Sequence, residues 1–426
     1  MPLFELVVCL VSTFTATTKK KAIADAHRNF INLSGENISR SSFWQRLANR
    51  KLVDFLEKAV LNFAFQIQQK ALCQLSWLST FKDVFIYDAS PIRLPASLST
   101  KFPGNRSNHS PACLKLSALY KMSVRAIEWM KLTDQKTHDS QILPDIEQLK
   151  GSLFLFDLGY FSHLFLHQLN QIGVWFVCRL KANSVPIITR VVKGVAKRYI
   201  GCPLNDKVKL RGSIVEVWAK LILPGKGFIE VRLIGFRFPK TKQYRWYATN
   251  LKSAMLLAEW IYPIYRLRWQ IETFYRDFKH TMKATCWHRR TPTTFHQELL
   301  VHMIVVCLIR IAMLEASQLA KVCVGHLSFA RALTETRLFF QLILSSGQSN
   351  SWTFMWAAFV KYCAKYRVKI KPNRQFPRDR QQYRRKSRGL ERKRPGRKPK
   401  ATKAVPSMLS RPETLKNRRD GVYLLS

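Results

Sequence analysis

KDVFIYDAS at residues 82–90 and SLFLFDLGYF at residues 152–161 decide how this chain is read. Each is a mostly apolar run of strand length that closes on an aspartate, Asp88 in the first and Asp157 in the second. Runs of this kind mark strands buried on both faces, at the centre of a sheet covered by helices. Between them, LKLSALYKM and SVRAIEWMKL read as two more strands joined by a tight turn near Ser123. A helix-like stretch follows Leu143, a helix is expected over Phe161–Leu169, and VWFVCRL supplies a further strand. Three strands, a helix, a strand, a helix and a strand make a mixed α/β sheet. Ligands gather at strand ends in such sheets. An isolated aspartate there is ordinarily a turn-former or a cap. Two brought side by side repel each other, and a divalent cation is the usual remedy.

Outward from this centre the texture changes. Residues 184–250 are mostly strands (VPIITRVV, KVKLRGSIVEVWAKLIL, GFIEVRLIGFRF, YRWYATNL) and read as a β-rich insertion. It divides a core whose first part is expected at 76–183 and whose second part is expected at 251–320. Upstream, AIADAHRNFIN and FWQRLANRKLVDFLEKAVLNFAFQIQ carry apolar residues every three or four positions, with Ser41 or Ser42 expected to cap the second helix. Residues 1–75 are therefore expected to form a helical domain that binds DNA or serves packing and dimerisation. Residues 321–364 read as a helical C-terminal region. A basic tail over 365–426 follows, with eighteen Lys and Arg against two acids between 365 and 403. Such a segment cannot bury enough apolar surface to offset its ordering entropy, so disorder is expected. Within it RPGRKPK suits either a minor-groove hook or nonspecific attraction to phosphates.

Charge names the class of partner. The 71 Lys and Arg against 26 Asp and Glu give a formal net charge of +45, which opposes compaction unless a polyanion is near. DNA and RNA both qualify, because neutralising phosphates releases condensed counterions. Nine cysteines without a CxxC pair argue against zinc fingers and secreted disulfide frameworks. The start, LFELVVCLVSTFTA, is followed rather than preceded by its lysines and is interrupted by Glu5, the wrong order for a secretion signal. LLVHMIVVCLIRIAML contains His302 and Arg310, and is expected to be a buried helix shorter than a membrane span. A cytoplasmic, nucleoid-associated protein without a membrane segment is expected. No P-loop is present, so no nucleotide cofactor is expected. His163 and His167 have the spacing of a helical metal pair but lack the acid of H-E-x-x-H, and their surroundings are apolar.

The third acid lies in YPIYRLRWQIETFYRDFKHTMK, where Pro263 suits the first turn of a helix. Tyr265, Arg268, Glu272 and Lys279 form Y-x2-R-x3-E-x6-K. At about 100° per residue, steps of seven return to nearly the same direction, so Tyr265, Glu272 and Lys279 share a stripe with Arg268 beside it. One face then carries a carboxylate, two cations and a phenol, a set suited to gripping a phosphate beside a metal. Charges on a helix usually make a solvated face. Here Trp269, Ile271, Phe274, Tyr275 and Phe278 spread apolar residues over the other directions, so the stripe is not mere surface.

YRLRWQIETFYRDFK resembles the Y-R-E-K motif of the IS-four family of DDE-class insertion-sequence transposases. FDLGYFS is similar to that family's pattern around its second aspartate and IYDASPIRLP to the pattern around its first, where Asp88 is favoured over Asp83. The resemblance runs from about residue 80 to 320. It implies a ribonuclease H-like catalytic core with a β-rich insertion, and Mg²⁺ or Mn²⁺, two ions in all, held by Asp88, Asp157 and Glu272. It also implies that Tyr265, Arg268 and Lys279 contact transposon-end phosphates. Trp246 stands where an insertion-domain tryptophan would receive a flipped base, and a strand aromatic in the core is the other reading. DNA cleavage and strand transfer by a homodimer on transposon ends and target DNA would follow. A decayed DNA-binding protein without catalysis, or a nuclease that cuts without joining, are the competing expectations.

Overall fold

In the computed structural model the residues described are 3–15, 22–70, 80–106, 110–138, 141–223, 225, 227–238, 241–282, 287, 291–346 and 352–368. The expected tail lies outside them, apart from its first residues.

The strands are β1 (Val84–Arg93), β2 (Pro103–Arg106), β3 (Ser110–Lys121), β4 (Ala126–Asp134), β5 (Leu153–Phe156), β6 (Trp175–Arg179), β7 (Ile187–Lys193), β8 (Ile214–Leu223), β9 (Gly227–Arg237) and β10 (Tyr244–Thr249). They form one sheet in the order β2-β3-β1-β5-β6-β10-β9-β8-β7, with β4 also beside β3. β1 runs parallel to β5, and β5 to β6; the other pairs are antiparallel. Strands β7 to β10, expected as an insertion, continue this sheet because β10 pairs with β6.

Alternation along the central strands builds two cores. Ile86, Leu153 and Leu155 face one way, onto Ile271, Phe274 and Phe278; Phe85, Tyr87, Phe154 and Phe156 face the other way, onto Phe165, Leu166 and Leu169. The latter three lie on α5 (His163–Ile172), which Ser162 caps and which ends at Gly173 with φ 82°, the left-handed conformation that glycine adopts without penalty.

Several local expectations are corrected. The apolar start forms α1 (Leu3–Thr15), with Leu6, Cys9 and Val11 buried. After α2 (Ala22–Ser34), the single long helix expected is two: α3 (Arg40–Leu47) and α4 (Arg50–Lys70). The cap of α3 is Ser39, which accepts from the Ser42 N–H, so Ser42 is the donor and neither Ser41 nor Ser42 caps. Asn49 causes the restart by accepting the Lys51 N–H through its side chain. The helix expected after Leu143 is only a 3₁₀ turn, Ile146–Leu149.

The stretch expected as one helix near Glu272 is three segments. α6 (Ala258–Arg266) holds Pro263 in its interior rather than in its first turn. α7 (Trp269–Arg276) runs into a π-helical turn, Asp277–Thr281. At the junction Leu267 N–H donates to the Ile264 carbonyl and Arg268 N–H to that of Tyr265, the tighter three-residue spacing of a 3₁₀ turn. Helix α8 (Pro292–Leu319) contains the apolar run around His302. At 28 residues it is long enough to cross a membrane, contrary to the length expected, but 89% of its most apolar window is buried inside the protein. α9 (Phe329–Ser346) and α10 (Trp352–Lys365) pack with it.

Candidate active site

Parallel pairing of β1 with β5 ends at Tyr87 opposite Phe156, so Asp88 and Asp157 are the next residues on neighbouring strands. Asp157 ends its strand as expected. Asp88 does not: β1 continues to Arg93 because β3 extends alongside it as far as Cys113. Pro91 falls in this overhang, where β1 has a neighbour on one side only and the missing N–H is tolerated. Counting by twos, Asp88 follows Val84 and Ile86, and Asp157 follows Leu153 and Leu155. Both therefore belong to the face that carries α7.

Tyr275 fixes α7 on that face. Its hydroxyl lies 2.8 Å from the Asp88 carbonyl oxygen and 3.1 Å from that of Leu116, within donating distance of both. Three residues earlier, Glu272 is thereby brought to the aspartates. Between the acids lies one cation. The Arg268 guanidinium contacts Glu272 Oε1 at 2.6 Å through Nη2, Asp88 Oδ2 at 3.8 Å through Nη1 and Asp157 Oδ1 at 4.0 Å through Nε. Arg268 itself is 8% exposed. Tyr265 donates to Asp157 Oδ1 at 3.4 Å.

Lys279 turns inward. It donates to Ser90 Oγ at 2.7 Å and to the Pro91 carbonyl at 2.5 Å, so in this structure it clamps the π-helical turn onto the β1 overhang.

Burial raises the Asp88 pKa to about 7, against the attraction of Arg268 and the Ala89 N–H bond, while Asp157 and Glu272 push it further up. Burial likewise raises the Tyr265 phenol and lowers Lys279 to about 8. For Arg268, burial opposes the charge, but Tyr265, Asp157, Glu272 and Asp88 outweigh it and hold the guanidinium above its ordinary value.

Among the described residues no three His, Cys, Asp or Glu side chains stand close enough to share one metal ion. The donor set is nevertheless of the right kind. Three carboxylates from separate parts of the chain already converge on one positive group, and hard oxygen donors suit Mg²⁺ or Mn²⁺.

Asp83, the other acid at the start of β1, is elsewhere. Its carboxylate accepts from the Val84 N–H and from the Ser123 N–H and hydroxyl, and ties the β3–β4 turn to β1. Trp246 lies on β10, stacked on Tyr244 at 6.3 Å between ring centroids. Its ring also faces Gly235, where any Cβ would come within 3.1 Å of it. It lines a cleft of about 810 Å³ with Leu158, Arg179, Lys181 and Arg245, and Leu158 directly follows Asp157. His163 is bonded to the Ile222 carbonyl at 2.8 Å. Sequence reasoning missed Tyr275 and Ser90 as partners of the site. Tyr275 carries the same apolar signal as its neighbours Phe274 and Phe278, and nothing in the spacing marks its hydroxyl.

The transposase for insertion sequence element IS1151 of Clostridium perfringens is 24% identical over 275 residues, covering 55% of this chain and 58% of that protein. The transposase for IS231F of Bacillus thuringiensis subsp. israelensis is 24% identical over 274 residues, covering 54% and 57%. The chain thus spans somewhat over half the length of these relatives. Among solved structures, a piggyBac transposase in a synaptic complex with hairpin DNA aligns over 89% of this chain and 80% of its own at 10% identity, with a TM-score of 0.42. The family model described as "Transposase DDE domain" matches residues 79–308, more than half of the chain and the whole of the carboxylate site, and the protein belongs to that family of DDE-class insertion-sequence transposases.

Proposed function

We propose that the protein cleaves and rejoins DNA as the transposase of an insertion sequence of the IS-four type, with Asp88, Asp157 and Glu272 as its catalytic acids. The observation that carries this reading is their convergence: residues up to 184 positions apart in sequence lie within 4.0 Å of one guanidinium. The order β4-β3-β1-β5-β6, with β1, β5 and β6 parallel, is consistent with a ribonuclease H-like core, and β7 to β10 with an insertion between Asp157 and Glu272.

The three carboxylates would hold Mg²⁺ or Mn²⁺. Two such ions, when bound, activate the attacking oxygen and stabilise the leaving oxygen of an in-line displacement at phosphorus. The protein's own groups do the rest. Tyr275 holds α7 against β1 and so sets Glu272 opposite Asp88. Tyr265, hydrogen-bonded to Asp157, orients that carboxylate. Arg268 supplies a planar fork for a transposon-end phosphate, and Trp246 a face for a displaced base beside it. Water attacks first and releases a 3′-OH at the element's end. That hydroxyl then attacks target DNA or the opposite strand, expelling a second 3′ oxygen. No covalent protein intermediate is required. DNA is the partner, and a net charge of +45 suits a polyanion of that kind. A homodimer on paired ends in the bacterial cytoplasm completes the reading, with residues 1–75 and the basic tail adding DNA contacts.

Asp88→Ala, Asp157→Ala and Glu272→Ala should each abolish cleavage of a duplex bearing the element's ends and leave binding of that duplex largely intact. Cleavage by the wild type in excess chelator would overturn the metal-dependent reading.

A further inference from the structure

Arg268 is the residue whose surroundings fit least well with a permanent role. Its guanidinium contacts the same oxygens that would receive a metal: Glu272 Oε1, Asp88 Oδ2 and Asp157 Oδ1. A divalent ion and a guanidinium cannot both occupy that space, since two like charges a few ångströms apart would face each other on shared ligands.

Two features show that the hold is loose. A firmly held buried guanidinium makes several hydrogen bonds at close range, yet of the contacts to the three acids only that to Glu272 is a hydrogen bond and the other two are 3.8 and 4.0 Å. Arg268 stands at the junction between α6 and α7 rather than within a continuous helix. Meanwhile the side chains of Asp157 and Glu272 are 44% and 32% exposed, so the cluster opens on one side to solvent. Arg179 is close enough to Tyr265 to act on its phenol, and with Lys181 and Arg245 it lines the cleft that takes in Leu158, a basic wall that attracts a phosphate chain.

We propose that Arg268 is the resident counter-ion of the Asp88–Asp157–Glu272 cluster and that it leaves for a DNA phosphodiester before metal is held, so that metal loading and DNA binding are coupled. This rests on the metal-dependent reading above. A protein without DNA then keeps its acids neutralised and binds divalent ions weakly. Arrival of a phosphate takes the guanidinium away and uncovers the ligands. By linkage, metal must strengthen DNA binding by the same factor.

The test is calorimetric titration of Mn²⁺ into the full-length protein, with and without a duplex oligonucleotide, for wild type, Arg268→Gln and Arg268→Gln/Glu272→Gln. Without duplex, Arg268→Gln should bind Mn²⁺ about tenfold or more tightly than wild type. That gain should vanish in the double variant. Wild type should approach the affinity of Arg268→Gln only when duplex is present. Equal or weaker Mn²⁺ binding by Arg268→Gln, with Glu272-dependent binding retained, would overturn the counter-ion proposal and leave the metal reading standing. Absence of Glu272-dependent Mn²⁺ binding in every protein, with or without duplex, would bring down both. If Arg268→Gln fails to melt cooperatively, Arg268→Met decides instead, because it removes the charge and keeps an apolar stem of similar reach. Tighter Mn²⁺ binding than wild type supports the proposal, and equal or weaker binding overturns it.

Discussion

Arg232 and Arg268 are both buried among the sheet and its helices, and they are held in opposite ways. Arg232, on β9, is fully enclosed. It donates to Glu216 Oε1 at 2.8 Å and to the carbonyls of Leu256 at 2.6 Å and Leu251 at 3.5 Å, and Glu216 also accepts from Ser253 at 2.9 Å. One cation meets one acid, backbone oxygens take up Nη1, and among the described residues Nη2 has no hydrogen-bond partner. The result welds β8 and β9 to the segment that leads into α6. Arg268 meets three acids, only one of them closely, and two of the three are open to solvent. A balanced and closed ion pair is structural; an excess of acid around a half-open cation is a site waiting for more positive charge.

The sharpest way to break this comparison is to remove one acid from each group. Glu216→Ala leaves Arg232 buried without its counter-charge, and that loss costs about 3–5 kcal/mol. The expected result is a large fall in melting temperature. Asp157→Ala leaves Arg268 with two acids and removes a source of repulsion, so its melting temperature should stay within a few degrees of wild type while DNA cleavage disappears. Thermal melts and cleavage assays on both proteins settle it. Equal destabilisation of the two would mean that the carboxylate cluster is as structural as the Arg232 pair.

A smaller effect is expected where the two cores meet the site. Tyr275→Phe removes a hydroxyl that serves the Asp88 and Leu116 carbonyls and leaves buried acceptors, a loss of about 1–3 kcal/mol. Because α7 carries Glu272, cleavage should fall by more than DNA binding does. Loss of stability with an unchanged cleavage rate would make Tyr275 a core residue only.

Much of this arrangement could be read before any coordinates. The apolar runs at 84–87 and 153–156 required buried strands and put an aspartate after each, while the register of β1 on β5 was needed to put both on one face. The spacing of Tyr265, Arg268 and Glu272 put the third acid beside a cation. What could not be read depends on partners distant in sequence. Asp88 lies in mid-strand because the length of β3 sets how far β1 continues. The helical wheel gave Lys279 a direction but not a partner, and a π-helical turn together with Ser90 and Pro91 draws it inward. For Arg268, spacing indicated a positive group near Glu272 and could not say that it would lie among all three acids. The break of the 43–68 helix at Asn49 was visible only as an Asx residue amid good helix formers.

The smallest effect separates the two acids of β1. Asp83 immediately precedes β1 and Asp88 lies within it, and of the two it is Asp88 that meets Arg268. Asp83 instead accepts the Val84 and Ser123 N–H groups, at 2.7 and 3.3 Å, and the Ser123 hydroxyl. These bonds hold the β3–β4 turn against the start of β1, at the end of the strand away from the carboxylate cluster. Asp83→Ala should cost about 1 kcal/mol, the ordinary worth of a partly buried turn bond, and lower the melting temperature by a few degrees. Its cleavage rate, measured below that melting temperature, should match wild type. Asp88→Ala should do the reverse: the raised pKa of its carboxyl reports a buried acid whose removal relieves a desolvation cost, so the fold should hold while cleavage is lost. If Asp83→Ala were inactive at full stability and Asp88→Ala active, the first acid of the cluster would have to be reassigned, and with it the direction in which the site opens.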